Sequence, residues 1–346
     1  MARHDRKQAT MNDVAALAGV SQATVSLVLN DQGGGRVAEE TQARVMEAVD
    51  RLGYRTNAFA KSLRSGRSGI IGFISDEVAT APFAGKLLKG AQDAAWATGS
   101  VILSIDTYGD PALEQAAIEM MLSYRVRGIV YASMYHRVLE VPTLLDGAPT
   151  VVANAEDVAG ARPSVFPDEE QGGYDATRHL LDAGHVRVGF INIQAPDSDL
   201  PAGLGRYAGY RRALAEAGVP EDPQLVRYGV GIVEDGLALT RELMSLPVPP
   251  TAIFCGNDRT AWGAYRALEA LGRAVPAGCS IVGFDNQDTV APYLDPGLTT
   301  MELPFEQMGR RSVEILLTET GAQARREPIT CSLVPRGSVT TAKVPA

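Results

Sequence analysis

The chain has 346 residues, 45% of them hydrophobic and 21% charged, with a net charge of −9. That length supports two or three domains with a full apolar core, and the composition is ordinary for a soluble globular protein. No apolar run approaches the roughly 20 residues of a membrane span, no apolar stretch follows MARHDRKQAT as a secretory signal requires, and Cys255, Cys279 and Cys331 show no CxxC spacing; a cytoplasmic protein without a disulfide framework or zinc site is expected.

Charge is unevenly spread. Residues 1–67 hold ten Lys/Arg and seven Asp/Glu, a balance of +3, which leaves −12 on the remainder. A basic head on an acidic body suggests that the head meets a polyanion. In TMNDVAALAGVSQATVSLVLN (10–30) a first helix is expected from about Asn12 to Ala18, ended by Gly19 through a left-handed cap. Ser21 caps a second, from Gln22 to Leu29. At 100° per residue Thr24, Val25, Val28 and Leu29 share one side, against Val14, Ala15 and Ala18 of the first helix. Gln22, Ala23, Ser26, Leu27 and Asn30 fall on the other. After the connector QGGGR (32–36), a third helix runs from about Glu39 to Leu52. Its Val45, Ala48, Val49 and Leu52 repeat at i, i+3, i+4, i+7, and Gly53 stops it.

Two short helices about a tight turn, supported by a third, make a helix-turn-helix, placed here at residues 1–56. Its outward face carries a carboxamide, a methyl, a hydroxyl and Leu27, and no charge. Carboxamides read adenine, and methyl or isobutyl groups pack on the thymine methyl. A plain three-helix bundle, with Leu27 packed under the 31–36 loop, is the bland alternative. NAFAKSLRSGR (57–67) is short and basic, so alone it is a marginal helix in water. Phe59, Ala60 and Leu63 would share one face, with Lys61, Arg64 and Arg67 available to phosphates.

From Gly69 onward β-type runs alternate with helical patterns. Strands are expected at 69–75, 100–106, 128–132, 150–154, 187–191, 251–255 and 279–285. Helices are expected at 83–97, 111–123, 170–183, 205–217, 234–245, 258–271 and 305–319. Such alternation implies parallel sheets buried on both faces, and the number of units favours two doubly wound lobes divided near 162–166. The first lobe is drawn as 68–162 and 297–326, the second as 163–296 and 327–341. Ligands bind beyond the C-terminal strand ends of such sheets. Asp76, Asp106, Ser133 to His136, Asn154, Asn257 and Asp285 stand at those ends, and Arg206 starts the RYAGY helix. Groups that both donate and accept suit a hydroxyl-rich ligand. Phe83, Tyr135, Trp262 and Phe284 are apolar surfaces for a sugar ring. Singly, most of these are equally well explained as helix caps or core.

MNDVAALAGVSQATVSLVLN and the following GRVAEETQARVMEAVDRLGYRTNAFAKSLRSGRSGIIGFI resemble the DNA-binding segment and hinge of the lactose-repressor (LacI) family of bacterial regulators. The resemblance covers essentially the whole chain. It implies an all-α helix-turn-helix head on a periplasmic-binding-protein-like α/β body, and base readers at Gln22, Ala23 and Leu27. Many members carry arginine where this chain has Leu27, a departure that bears on which operator is read. Thr10, Ser21, Thr24, Ser26 and Asn30 complete the DNA contacts of the head. Asn57, Phe59, Ala60, Lys61, Leu63 and Arg64 belong by resemblance to a hinge helix that orders on DNA, with Leu63 as the minor-groove wedge. GRYAGYRRAL, CGNDRTAWGAYRALEALG and SIVGFDNQ are similar to the family's ligand-contact segments and nominate Arg206, Asn257 and Asp285, with Asn154 as a further contact. PF at 82–83 resembles the NPF element beside the cleft, with Ala81 in place of the usual polar residue. GVGIVEDG (229–236) lacks the tryptophan the lactose repressor stacks there. The ligand set is thus Asp76, Phe83, Ser133, Tyr135, Asn154, Arg206, Asn257 and Asp285.

No Walker A loop, GxGxxG, GxSxG elbow or metal-spaced histidines occur, so no cofactor, metal or enzymatic activity is expected. LVPRGS (333–338) resembles a vector-derived protease site but lies within the strand pattern CSLVPRGSVTT and is read as native. No leucine heptad follows, which the lactose repressor uses for tetramers, so a homodimer is expected. The resulting expectation is a repressor of carbohydrate metabolism whose affinity for operator DNA is set by a small molecule, a mono- or disaccharide, held between two lobes. A solute-binding protein without regulatory duty is the alternative, and a sugar-modifying enzyme a third.

Overall fold

The computed structural model describes residues 9–29, 36–54, 69–81, 84–195, 197–318 and 324–342. The expected hinge, with Asn57, Phe59, Ala60, Lys61, Leu63 and Arg64, lies outside the described residues, as do Asn30 and Phe83. The chain divides into two compact units at Gly69 and Ile70.

The first unit holds α1 (Met11–Ala18), α2 (Gln22–Leu29) and α3 (Glu39–Leu52). Thr10 opens α1 with a reciprocal capping box to Asp13, and Gly19 closes it in the left-handed region at φ 66°, where a side chain costs energy. The chain then turns so that α2 runs at 102° to α1, within the range of a helix-turn-helix. The Ser21 hydroxyl accepts the Thr24 N–H at 3.1 Å and so caps α2. Val14, Ala15, Ala18, Val25, Val45 and Ala48 form the core, closed over by Val20, Val28, Leu29, Val49 and Leu52 among others. Among the described residues no single helix is long and apolar enough to cross a membrane.

The second unit contains two six-stranded sheets. In chain order it runs β1 (Ile70–Ser75), α4 (Gly85–Ala97), β2 (Val101–Asp106), α5 (Pro111–Ser123), β3 (Ile129–Ala132), β4 (Val138–Leu139), β5 (Thr150–Ala153), β6 (Glu156–Asp157) and β7 (Ser164–Pro167). There follow α6 (Glu169–Asp182), β8 (Val188–Asn192), α7 (Pro201–Glu216), β9 (Val226–Tyr228), α8 (Val233–Met244), β10 (Ala252–Cys255), α9 (Asp258–Ala270), β11 (Ser280–Asp285) and β12 (Thr299–Glu302). The chain closes with α10 (Phe305–Thr318), β13 (Arg326–Ile329) and β14 (Ser332–Val334). One sheet is ordered β13-β7-β5-β3-β1-β2 and the other β14-β12-β11-β10-β8-β9. All pairings are parallel except β12 with β14. The central strands are buried throughout, as in β5, β8 and β10, because helices cover both faces.

Sheet membership moves the lobe boundaries from their expected places at 162/163, 296/297 and 326/327. β7 pairs with β5 in the first lobe, β12 pairs with β11 in the second, and β13 returns to β7 in the first. The chain therefore crosses between lobes at 168, 303–304 and 330–331. Strands of three or four residues at the crossings carry no periodic signal, so sequence alone shifted each boundary by a few residues. LVPRGS is woven into the second lobe: β14 pairs with β12, Arg336 donates to the Leu298 carbonyl at 2.7 Å, and Ser338 is fully buried.

Three helix pairs touch backbone to backbone through reciprocal glycines. A Cβ on Gly309 of α10 would overlap the Leu87 carbonyl of α4, and one on Gly90 of α4 the Glu306 carbonyl of α10. Gly173 and Gly209 do the same for α6 and α7, and Gly236 and Gly263 for α8 and α9. His185 bridges Thr251 Oγ1 and the Thr340 carbonyl at 2.9 Å each.

Candidate functional site

Two regions carry the candidate residues. On the head, Gln22 and Ala23 are exposed at the start of α2, while Ser26 and Leu27 are half-buried. Leu27 is not among the described residues of the hydrophobic cluster that Val28 and Leu29 join. Thr24 is half-buried, and its hydroxyl lies 2.9 Å from that of Ser21. Thr10 is exposed but engaged, donating its hydroxyl to Asp13 at 2.6 Å. The polar groups at both helix starts satisfy backbone donors first.

In the body the C-terminal strand ends of the two sheets face one another. Lys86, near the start of α4, pairs at 2.9 Å with Asp288 beyond β11, and His136, beyond β3, approaches Glu169 of α6. Lys86, Asp285, Gln287 and Leu303 line a small pocket at this junction. On the second lobe Arg206 is 3% exposed. Its Nε donates to Glu169 Oε2 at 2.8 Å and its Nη2 to Oε1 at 3.3 Å. Nη1 reaches the Gly256 carbonyl and lies 3.5 Å from Asp285 Oδ1. Asp285 holds the left-handed φ of 106° and accepts from Gln287 Nε2 at 3.0 Å. Burial raises the Asp285 pKa to about 6 against the pull of Arg206. Its neighbour Asp258, buried and close to that charge, is pushed up to about 8.

The other strand-end residues serve each other. Asp76 accepts from the Ser133 hydroxyl at 3.0 Å, from the Met134 N–H at 2.8 Å and from Arg137. Asn154, at φ 52°, donates at 2.9 Å to the carbonyls of Ser133 and Met134. Asp106 holds the 77–80 loop through the Thr80 N–H at 3.2 Å. Asn257 caps α9, accepting from Thr260 N–H and donating to the Gly231 carbonyl at 2.9 Å. Tyr135 is 49% exposed. Phe284 offers no platform: it is fully buried, and the Arg206 guanidinium covers its ring at 3.8 Å. Trp262 lines a different groove, with Tyr293 and Leu294. Among the described residues no group of three or more His, Cys, Asp or Glu is placed to hold a metal ion. Sequence reasoning missed Glu169, the main partner of Arg206; an acidic residue in a first helical turn is too common to stand out.

A helix-turn-helix unit followed by a two-lobed parallel α/β body is the build of DNA-binding regulators that answer to a ligand. Residues 10–57 match the family described as bacterial regulatory proteins, lacI family, and residues 68–336 match the periplasmic binding proteins and sugar binding domain of the LacI family. The transcriptional regulator GalR of Salmonella typhimurium strain SL1344 is 33% identical over 337 residues, 96% of this chain and 96% of its own length. The transcriptional repressor PurR of Photobacterium profundum is 31% identical over 311 residues, covering 89% and 91%. Among solved structures, a CelR–cellobiose complex is 30% identical with a TM-score of 0.66, over 96% of this chain and 100% of that one. The lac repressor dimer bound to operator and the anti-inducer ONPF shares the fold at a TM-score of 0.79 and 24% identity, over 96% and 100%. The chain belongs to the LacI family. It is a DNA-binding transcriptional regulator of repressor type, and its body is an effector-binding domain.

Proposed function

We propose that the protein is a cytoplasmic homodimer that represses genes of sugar use, and that a mono- or disaccharide between the lobes changes its grip on operator DNA. The observation that carries the sugar assignment is the Arg206–Asp285 pair at the lobe junction, a fixed donor beside a carboxylate acceptor, which suits vicinal hydroxyls. The relative solved with cellobiose supports it. The effector contacts are Asp76, Phe83, Ser133, Tyr135, Asn154, Arg206, Asn257 and Asp285. Asp76, Ser133, Asn154 and Asn257 are held by internal bonds and shape loops that the sugar meets, and Arg206 and Asp285 are fixed by their bonds to Glu169, Gly256 and Gln287. A differential affinity for two lobe arrangements then shifts operator affinity roughly 5–150-fold. A thermal-shift screen over mono- and disaccharides tests this. A sugar at about 100 times its Kd adds about 2.7 kcal/mol of stability, and a screen in which no sugar raises the melting temperature sinks the assignment.

On DNA, Gln22, Ala23 and Leu27 face base edges, flanked by Thr10, Ser21, Thr24, Ser26 and Asn30. The hinge residues Asn57, Phe59, Ala60, Lys61, Leu63 and Arg64 enter the minor groove. Gln22→Ala is expected to lower affinity for the operator by about 1–3 kcal/mol while leaving the salt dependence, set by phosphate contacts, unchanged. Fluorescence anisotropy at several salt concentrations reads both; equal discrimination by variant and wild type refutes the contact. For the dimer, Trp262 and Tyr293 are 43% and 81% exposed on one groove of the second lobe. Tyr293→Asp is expected to shift sedimentation from dimer to monomer and to weaken operator binding with it.

A further inference from the structure

His136 is 6% exposed at the lobe junction, and neither DNA reading nor the sugar contacts employ it. Its ring stacks on Phe166 of β7 with centroids 5.1 Å apart. Nε2 lies 3.4 Å from Glu156 of β6, and Nδ1 lies 3.6 Å from Glu169, the first residue of α6. Neither nitrogen makes an aligned hydrogen bond. Glu156 belongs to the first lobe and is gripped by Arg326 of β13. Glu169 belongs to the second and is gripped by Arg206, which in turn faces Asp285. Charges thus alternate across the boundary in the order Arg326, Glu156, His136, Glu169, Arg206, Asp285. Arg137, next to His136 in sequence, pairs with Asp76.

A neutral imidazole has one N–H and one lone pair. Between two carboxylates, either tautomer aims its lone pair at an anion. Only the doubly protonated ring offers each carboxylate a positive donor. Burial opposes the charged ring, but Glu156 and Glu169 outweigh it and hold the His136 pKa above its ordinary 6.5. Burial also opposes an ionised Glu169, yet Arg206 and His136 hold that carboxyl below its ordinary value. The exposed Lys86–Asp288 pair also spans the lobes, but such pairs contribute little.

We propose that His136 is a positioning residue for the effector site: its imidazolium ties the two lobes together and, by sharing Oε1 of Glu169 with Arg206, fixes the guanidinium beneath the junction. The tie rests on the assignment of Arg206 to the effector site only for its functional consequence; the charge chain itself is ligand-free. The tied arrangement is fully stabilised below pH 6.5 and loses that stabilisation as pH rises through the raised folded-state pKa. An effector that bridges the lobes therefore binds more weakly above that pH.

Histidine-selective 15N NMR on the full chain tests the tie. Burial holds His179 and His185 below the ordinary value, and the His136 resonance is identified by its loss in His136→Gln. Glu169→Gln is expected to lower its midpoint by about one unit. A His136 that titrates at or below about 6.5, or one unmoved by Glu169→Gln, overturns the proposal. With the best sugar of the thermal-shift panel, Kd is expected to weaken about tenfold more in wild type than in His136→Gln from about pH 6 to about pH 9, the titration of Asp285 and Asp258 being common to both proteins. A parallel slope in both proteins overturns the functional link. A panel without any binder refutes the sugar assignment and the link built on it, and leaves the ligand-free titration to decide the tie.

Discussion

Arg206→Met is expected to destabilise the body by about 3–5 kcal/mol, the cost of breaking a buried ion pair from one side. Glu169 is 4% exposed, and its carboxylate would keep only His136 as a cationic partner. The Gly256 carbonyl would lose its donor as well. The loss does not come from missing attraction alone, since a well-made buried pair is close to break-even against apolar groups of similar volume. It comes from the anion left behind. Adding Glu169→Gln to Arg206→Met should therefore recover part of the stability, because the stranded charge goes too. Urea unfolding of the two variants reads the difference. An Arg206→Met protein within about 1 kcal/mol of wild type would show that the guanidinium is not the electrostatic centre of the second lobe.

The second large effect runs against helix propensity. Alanine is normally better than glycine inside a helix by about 0.5–1 kcal/mol. Gly209 and Gly309 both lie within helices, yet Gly209→Ala and Gly309→Ala are expected to cost about 3 kcal/mol each. The added methyl meets the Glu170 carbonyl in one case and the Leu87 carbonyl in the other. A backbone oxygen cannot swing aside as a flexible side chain does, so the helices must part and their shared contacts loosen. Gly85→Ala at the start of α4, where nothing lies within 4 Å of the new Cβ, is the control and should be neutral or mildly stabilising. Thermal unfolding of the three variants side by side checks the contrast; equal melting temperatures would mean the helix pairs have room to spare.

Local signals made the head legible. Gly19, Ser21 and Gly53 mark helix ends by capping chemistry that depends on neighbours in sequence, and all three helices fall within a residue of their expected bounds. The long apolar strands of the body were equally readable. β4, β6, β7, β9, β12 and β13 were not, since each is only two residues long or carries Ser, Thr, Arg, Glu or Pro in place of a continuous apolar run, and becomes a strand only by pairing with distant chain. The same distinction divides the site. That Asp76, Asn154, Asn257 and Asp285 stand at strand ends follows from strand placement. That Asp76 closes on Ser133 and Arg137, or that Phe284 lies under Arg206, follows from packing between elements. Glu169 and His136 were hidden for that reason: an acid after a helix cap and a histidine after a strand are ordinary until the lobes bring them together.

The three passages of the chain between the lobes impose an order on synthesis. The head builds its core from residues 11–54 alone, but β7, second from the edge of the first sheet, waits for its outer neighbour β13 at 326–329. At about 5–20 residues per second, the ribosome delivers that partner on the order of ten seconds after Ser164. Until then the nascent polypeptide presents a DNA reader attached to a sensor with one open edge, and neither lobe can be finished independently of the other.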